Sequence, residues 1–437
     1  MKKLAWFFSL IAVLSFVDIR AVNFYNRSLN SDSVYVVNKK NDMPVIEKNI
    51  HKKRSPASLT KVMTYIVASE NIKDAKNENV LVTKEILDMV DPDSSGCKLK
   101  EGEEVSVLNL YHCMLICSSG CAAITLANHI GGIENFVNLM NAKAESLGCE
   151  NTHFVNPDGM YDQNQYSTAY DMYLIVSYAM KNQEFLDIVY KKEYSCFGDE
   201  RDPIITTNKM IDKKRGGEYY CPYVKGIKTG YLDDAGRCLA SYAVKDGESY
   251  VSVVMGGPVK DENDRKIEKN MAMIDTKNIY SWAFEKLKSL KCYDKGQPIK
   301  EINLGVAWET DKIFLVAQND VFFTVPKDVK FENLTININC PDSIDAPVEQ
   351  GDVIGKADIF YNDTRLGEFN LVAASTHKKS FFAFFTKILR SIMYSPLVIF
   401  LFVVFLIFSV FYMIVFFRGI KRKKMRSKIK KFPKIKK

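Results

Sequence analysis

The sequence predicts an α/β domain, followed by a small all-β domain and one membrane-crossing helix. Three observations predict this. Over about residues 30–290 the chain reads strand pair, helix, several helices, strands, helix. From 298 to 373 it changes to short alternating β segments between turn signals. Pro396 to Phe417 is then an uncharged run, roughly 33 Å long as a helix and enough to cross a bilayer.

The two ends set the topology. Met1-Lys2-Lys3 and the apolar run from Leu4 to Val17 read as a secretory signal over residues 1–21, with cleavage expected after Ala21. Residues 418–437 carry about twelve Lys and Arg and no acid, directly after the apolar run. The positive-inside rule puts this tail in the cytoplasm and everything between the two apolar segments outside. The tail also accounts for the formal net charge of +8, since the remainder is weakly acidic. No other stretch has the charge pattern of a nucleic-acid footprint, so no nucleic-acid partner is expected.

Ten cysteines in an exported chain raise the question of disulfides, but their spacing is not that of a small stapled scaffold. Cys113, Cys117 and Cys121 recur every four residues, one stripe of a helix, and read as small buried core residues rather than metal ligands beside His112. The histidines, at 51, 112, 129, 153 and 377, make no pair with metal-ligand spacing. Neither a metal nor a cofactor is expected.

Ser33 to Val37 and Pro44 to Ile46 form a hairpin pattern around a polar turn. It delivers the chain to Arg54-Ser-Pro-Ala-Ser58-Leu-Thr-Lys61-Val-Met-Thr64. Pro56 suits a helix entry, and Leu59 to Glu70 keeps a helical apolar period. Lys61, three residues on from Ser58, shares its helical face. An amine held there can take the proton of a serine hydroxyl, and both the helix N-terminus and burial favour its neutral form. The spacing alone is not specific: Ser95 and Lys98, Ser375 and Lys378, and Ser427 and Lys430 share it. What separates Ser58 is its helix-entry context and two further elements downstream.

The first of these follows a polar loop, Ser94 to Val105. Ser106 to Cys121 reads as one helix, running into Ser118-Ser119-Gly120-Cys121. Next, Asn156-Pro157 and Asp158-Gly159 are turn formers, and Ser167 or Thr168 suits the cap of a helix running to Ala179. This segment reads as scaffold, with His153 a structural histidine. The second element is Lys228-Thr229-Gly230, which occurs once, on a strand that starts at Val224. A cation and a hydroxyl on a strand edge suit a terminal carboxylate, and Gly230 lets a substrate backbone approach. Further strands to Val244 and from Tyr250 to Met255 follow, then a helical period from Met271 to Leu290. Beyond the β segments, Phe381 to Leu389 is aromatic and basic and suits a membrane interface.

Taken together, these residues resemble the serine D-alanyl-D-alanine carboxypeptidases, the low-molecular-weight penicillin-binding proteins of the S11 peptidase type. The resemblance is carried by Val34-Tyr-Val-Val37, by Arg54 to Thr64, by Asn151 to Asp171, by Lys228-Thr229-Gly230 and by Val348 to Lys356. It covers about residues 30–372. It implies a β-lactamase/transpeptidase-like domain over 30–290, with an antiparallel sheet and a helical subdomain. A small β-sandwich over 298–373 would serve as a spacer, ahead of a transmembrane helix at 396–417 and the basic tail at 418–437.

The resemblance further implies removal of the terminal D-alanine from peptidoglycan stem pentapeptides through an acyl-enzyme on Ser58. Lys61 would be the base and Ser118 the proton relay, with Lys228, Thr229 and Gly230 at the substrate's carboxylate and β-lactams as acylating ligands. Ser-x-x-Lys and Lys-Thr-Gly together form one mechanistic set in such proteins. One position departs. Where the family has Ser-x-Asn and then Asp, this chain has Ser118-Ser119-Gly120-Cys121, and a glycine supplies no side-chain amide. Two other functions stay open on this sequence: a non-catalytic peptidoglycan-binding homologue, and a β-lactamase-type hydrolase, which the β domain and anchor disfavour.

Overall fold

The computed structural model describes residues 25–429. The expected signal segment, 1–21, and residues 430–437 of the basic tail lie outside the described residues. The chain divides into two compact units, one of residues up to 293 with 320–337 and 358–368, the other of 294–319, 338–357 and 369 onward.

The first unit is built on a five-stranded antiparallel sheet. Its strands are β1 (Ser33–Asn38), β2 (Met43–Lys48), β3 (Val224–Leu232), β4 (Gly236–Lys245) and β5 (Glu248–Gly257), in the order β2-β1-β5-β4-β3. The expected hairpin is β1 with β2, and β3 is an edge strand. Both faces of the sheet are covered. Tyr35 and Val37 of β1 and Val251 and Val253 of β5 point into one core, while Val34, Val36, Tyr250 and Val254 point into the other. This two-sided burial explains why these strands read as apolar runs rather than clean alternation.

The first core is helical. α1 (Thr60–Asn71) is buried along its whole length from Thr60 to Ala68 and is surrounded by α2 (Val107–Ile116), α3 (Gly120–His129), α4 (Ile133–Ser146) and α5 (Ala169–Ala179). A further helix, α6 (Gln183–Val189), packs on α2 and β3. The second core lies under α7 (Met271–Lys286), which covers β4 and β5. α7 is shorter than the helical period suggests, because Leu287–Tyr293 forms a strand paired with Val321–Pro326.

One element differs from expectation in a way that matters. Ser106 to Cys121 is two helices, not one. α2 stops at Ile116, Ser118 adopts φ +66°, and α3 restarts at Gly120 with Ser119 as its cap. Cys113, Cys117 and Cys121 therefore do not share one helix stripe, although each packs in the first core. Cys117 closes α2, and Cys113 instead meets Cys196, Sγ to Sγ at 3.6 Å. Sequence spacing missed the break because the four-residue period survives across it.

In the second unit, Pro298–Gly305 pairs antiparallel with Lys312–Ala317, and Ser343–Asp345 adds to it in parallel. Lys312–Ala317 also pairs with Leu371 to Ala373 at the end of the strand Thr364–Ala373. The chain then forms α8 (Phe381–Met393), whose Phe381, Phe385, Ile388, Leu389 and Ile392 leave one apolar stripe exposed. α9 (Pro396–Ile429) contains a 28-residue span, Pro396–Lys423, long and apolar enough to cross a membrane.

Candidate active site

A tight turn, Ala57–Leu59, leads directly into α1 and carries Ser58. Ala57 is held at φ +48°. Two glycines make this possible. An ideal Cβ on Gly159 would lie 2.1 Å from the Ala57 carbonyl oxygen and 3.1 Å from the Ser58 nitrogen. One on Gly230 would press on Ala57 Cβ and the Pro56 oxygen, both at 3.2 Å. The serine turn is thus clasped between the 155–160 loop and the edge strand β3, and neither contact tolerates a side chain without displacement.

Lys61, one helical turn on, points its Nζ to within 3.0 Å of Ser58 Oγ. The same Nζ donates to the backbone carbonyl of Asp158. Thr64, three residues further along α1, donates to the carbonyl of Pro157 at 2.5 Å. Consecutive carbonyls of the loop are therefore hung on one face of the helix. The loop itself is braced by Gln165, whose Oε1 accepts from the N–H groups of Val155 and Asn156 at 2.9 and 3.0 Å. Asn156 Oδ1 in turn accepts from the N–H of Gly159 at 2.8 Å.

Lys228 approaches from β3. Its Nζ donates to Ser118 Oγ at 2.8 Å and to its neighbour Thr229's carbonyl at 2.8 Å. Both lysines are buried, Lys61 at 2% and Lys228 at 1% exposure. Burial pushes Lys61 down to about 8, against the opposing pull of Asp158 and Cys117. Burial, with the nearby Lys61 charge, holds Lys228 well below the usual lysine range. Two amines with depressed proton affinity, each within hydrogen-bond reach of a different serine hydroxyl, take up and hand on protons more readily than ordinary lysines.

A cleft of about 320 Å³ opens over these groups. Ser58, Ser118, Thr229 and Gly230 line it, together with Thr207, Arg237 and Asn270. All six expected site residues are thus brought together, but Lys61 and Lys228 stand behind the serines and do not line the cleft. The hydroxyl of Thr229 faces that of Thr207 at 2.5 Å. Among the described residues there is no group of three or more His, Cys, Asp and Glu side chains arranged to hold a metal ion.

The sequence model of the D-alanyl-D-alanine carboxypeptidase family, peptidase S11, matches residues 21–259, more than half of the chain. The chain belongs to that family. The model described as penicillin-binding protein 5, C-terminal domain, matches residues 284–379. Among carboxypeptidase relatives, D-alanyl-D-alanine carboxypeptidase DacA of Haemophilus influenzae is 30% identical over 70% of this chain and 75% of its own. The DacF enzyme of Bacillus subtilis is 27% identical over 78% and 84%. The crystal structure of penicillin-binding protein 5 from H. influenzae superposes with a TM-score of 0.68 at 26% identity, over 81% of this chain and 99% of that one. The α/β transpeptidase-like fold and the C-terminal β domain follow from these matches.

Three cleft features went unread in the sequence. Arg237, opposite Tyr231 in the β3–β4 register, has its guanidinium 5.3 Å from the Tyr231 ring and Nη2 3.4 Å from the carbonyls of Ile267 and Glu268. An arginine on a strand reads as a solvated edge, and nothing local marks it. Ser95 sits at the cleft and donates to the Ser118 carbonyl at 3.2 Å. The Asn-Pro-Asp-Gly turn reads as scaffold, yet it places Asp158 directly against Lys61. As for the helix to Ala179, Thr168 rather than Ser167 caps it, accepting from the N–H of Asp171 at 3.0 Å.

Proposed function

We propose that this protein is a membrane-anchored, serine-type D-alanyl-D-alanine carboxypeptidase that trims the terminal D-alanine from peptidoglycan stem pentapeptides and is acylated by β-lactams. The observation that carries this reading is the pair of buried lysines, one on each serine: Lys61 Nζ 3.0 Å from Ser58 Oγ and Lys228 Nζ 2.8 Å from Ser118 Oγ. A docking protein has no need of two desolvated amines behind its cleft.

In this reading Lys61, neutral, takes the proton of Ser58 as Oγ attacks the carbonyl carbon of the penultimate D-alanine. Backbone N–H groups, those of Ser58 and of a residue on β3, stabilise the oxyanion. The peptide C–N bond breaks as Ser118 passes a proton to the leaving amine, and Lys228 replaces that proton on Ser118. Water then attacks the ester on Ser58, its proton passing through Ser118 back to Lys228, and Lys61 returns its proton to Ser58 Oγ as the ester C–O bond breaks. The open edge of β3 receives the peptide as an added strand. Thr229 and Gly230 line the place of its free carboxylate, while Lys228 lends positive potential from behind.

The helix α9 spans the membrane with its basic end in the cytoplasm, and α8 lies in the interface with its exposed apolar stripe down. Incubating the detergent-solubilised full chain with a fluorescent penicillin tests the reading. Covalent label on wild type that is lost in Ser58→Ala supports it. A well-folded wild type that takes no label at high drug concentration overturns it.

A further inference from the structure

The second motif lacks its amide at Gly120, yet the space beside that glycine is not empty. An ideal Cβ there would lie 1.7 Å from Ser94 Oγ, 3.0 Å from Ser94 Cβ and 3.2 Å from Asp158 Oδ2. Two polar side chains, from two segments far apart in sequence, occupy the volume that a larger residue at 120 would need. Ser94 is brought in by its own loop: its N–H donates to the Asp91 carbonyl at 2.9 Å, and the Gly120 N–H donates to the carbonyl of Ser95 at 3.1 Å. Gly96, at φ +94°, lets that loop close on Ser119, where a Cβ would come within 2.4 Å of the backbone.

Asp158 is the more consequential of the two. It is 3% exposed, and its Oδ1 accepts from the N–H of Met160 at a long 3.4 Å. A carboxylate so buried needs a compensating charge. The neighbouring cation is Lys61, which already donates to the Asp158 backbone carbonyl. Burial raises the carboxyl's proton affinity and the Lys61 ammonium lowers it, so the two groups feel each other. The other ionisable groups that face this pair are Cys117, at the end of α2, Lys228, on β3, and Asp91, in the loop that carries Ser94.

We propose that Asp158 is a positioning residue for Lys61, and that with Ser94 it takes over the side of the site that the missing amide leaves at Gly120. The Asp158 carbonyl holds the amine toward Ser58, and the buried carboxylate of the same residue favours the lysinium that forms when Ser58 gives up its proton. This rests on the acylating reading given above and adds a residue to it.

The test measures the rate of fluorescent-penicillin acylation of the full-length protein in detergent across pH 6–10. Asp158→Asn keeps the shape and removes the charge. Without that charge the ammonium of Lys61 loses its stabilisation, so the acid-side inflection is expected about one pH unit lower, with a plateau rate down about tenfold. An inflection that stays in place, whatever happens to the rate, means a merely structural role and overturns the proposal. A second pair of variants guards against misfolding of the first. Gly120→Asn alone, forced onto Ser94 Oγ, is expected to lose labelling, and Ser94→Gly with Gly120→Asn to regain it. No regain in the folded double variant counts against the proposal. If wild type itself takes no label, the acylating reading falls and this one with it; if wild type labels and Asp158→Asn keeps the wild-type inflection, this one falls alone.

Discussion

The Nζ of Lys61 sits 3.0 Å from the hydroxyl oxygen of Ser58, one turn apart at the start of a buried helix. In the proposed mechanism that spacing lets the amine, when neutral, take the hydroxyl's proton.

The pH profile follows with a definite sign. Burial sets Lys61 at about 8, and the base form is the deprotonated one. Acylation of wild type is therefore expected to rise with pH through about 8 and to flatten above it, falling about tenfold per unit on the acid side. Lys61→Ala should remove the limb and lower the plateau by about 10²–10⁴. Stopped-time labelling across a buffer series measures both.

Gly159 is expected to tolerate no substitution. It sits at φ +83°, and a methyl there would meet the Ala57 carbonyl at 2.1 Å. Gly159→Ala should cost about 1–3 kcal/mol of stability and, by shifting the serine turn, slow acylation by at least about a hundredfold. Thermal unfolding and labelling rate, measured on the same preparation, separate the two effects. A variant that labels at the wild-type rate would show that the clasp does not position Ser58.

Arg237 faces the cleft, whereas Lys228 is turned to Ser118. Arg237 lines the cleft and its Nη2 makes only two long contacts to backbone carbonyls, so the guanidinium can turn to a substrate carboxylate. Arg237→Ala is expected to raise KM for a D-alanyl-D-alanine peptide about tenfold, or ~1.4 kcal/mol, with kcat nearly unchanged. The same peptide with an amidated C-terminus should show little difference between variant and wild type. Equal losses on both peptides would remove the carboxylate role.

Asp171 tests the scaffold rather than the chemistry. Its buried Oδ2 accepts from the Asn151 N–H at 2.8 Å and from the Thr152 hydroxyl at 2.7 Å. Asp171→Ala removes the acceptor of the Asn151 N–H and one of the two partners of the Thr152 hydroxyl, and should cost about 1–3 kcal/mol, read as a lower melting temperature. The acid-side inflection of acylation should not move.

How much of this was legible in the sequence depends on whether the signal was local. Ser58 with Lys61 could be read because a three-residue step on a helix fixes their neighbourhood. Lys228-Thr229-Gly230 could be read because strand, cation and glycine lie together. The kink at Ser118 could not, since its positive φ is held by contacts from the 94–99 loop, while the cysteine period around it still looks helical. Asp158 was hidden for a different reason: Asn-Pro-Asp-Gly makes a turn anywhere, and only the packing of that turn on α1 brings its backbone carbonyl to the Lys61 amine. The two-sided burial of the sheet went unread, although apolar runs such as Tyr250 to Met255 carry its signal.

The kink between α2 and α3 has a consequence for inhibitor shape. Ser95 borders the cleft and is tied to the carbonyl of Ser118, and Gly96 locks the same loop onto Ser119. A drug whose acyl substituent is bulky enough to push Ser95 outward therefore drags the kinked serine with it. On the proposed acylating mechanism, such crowding would be felt as slower proton delivery from Ser118 to the leaving nitrogen rather than as weaker docking, so antibiotics of equal affinity would differ in potency according to the width of that substituent.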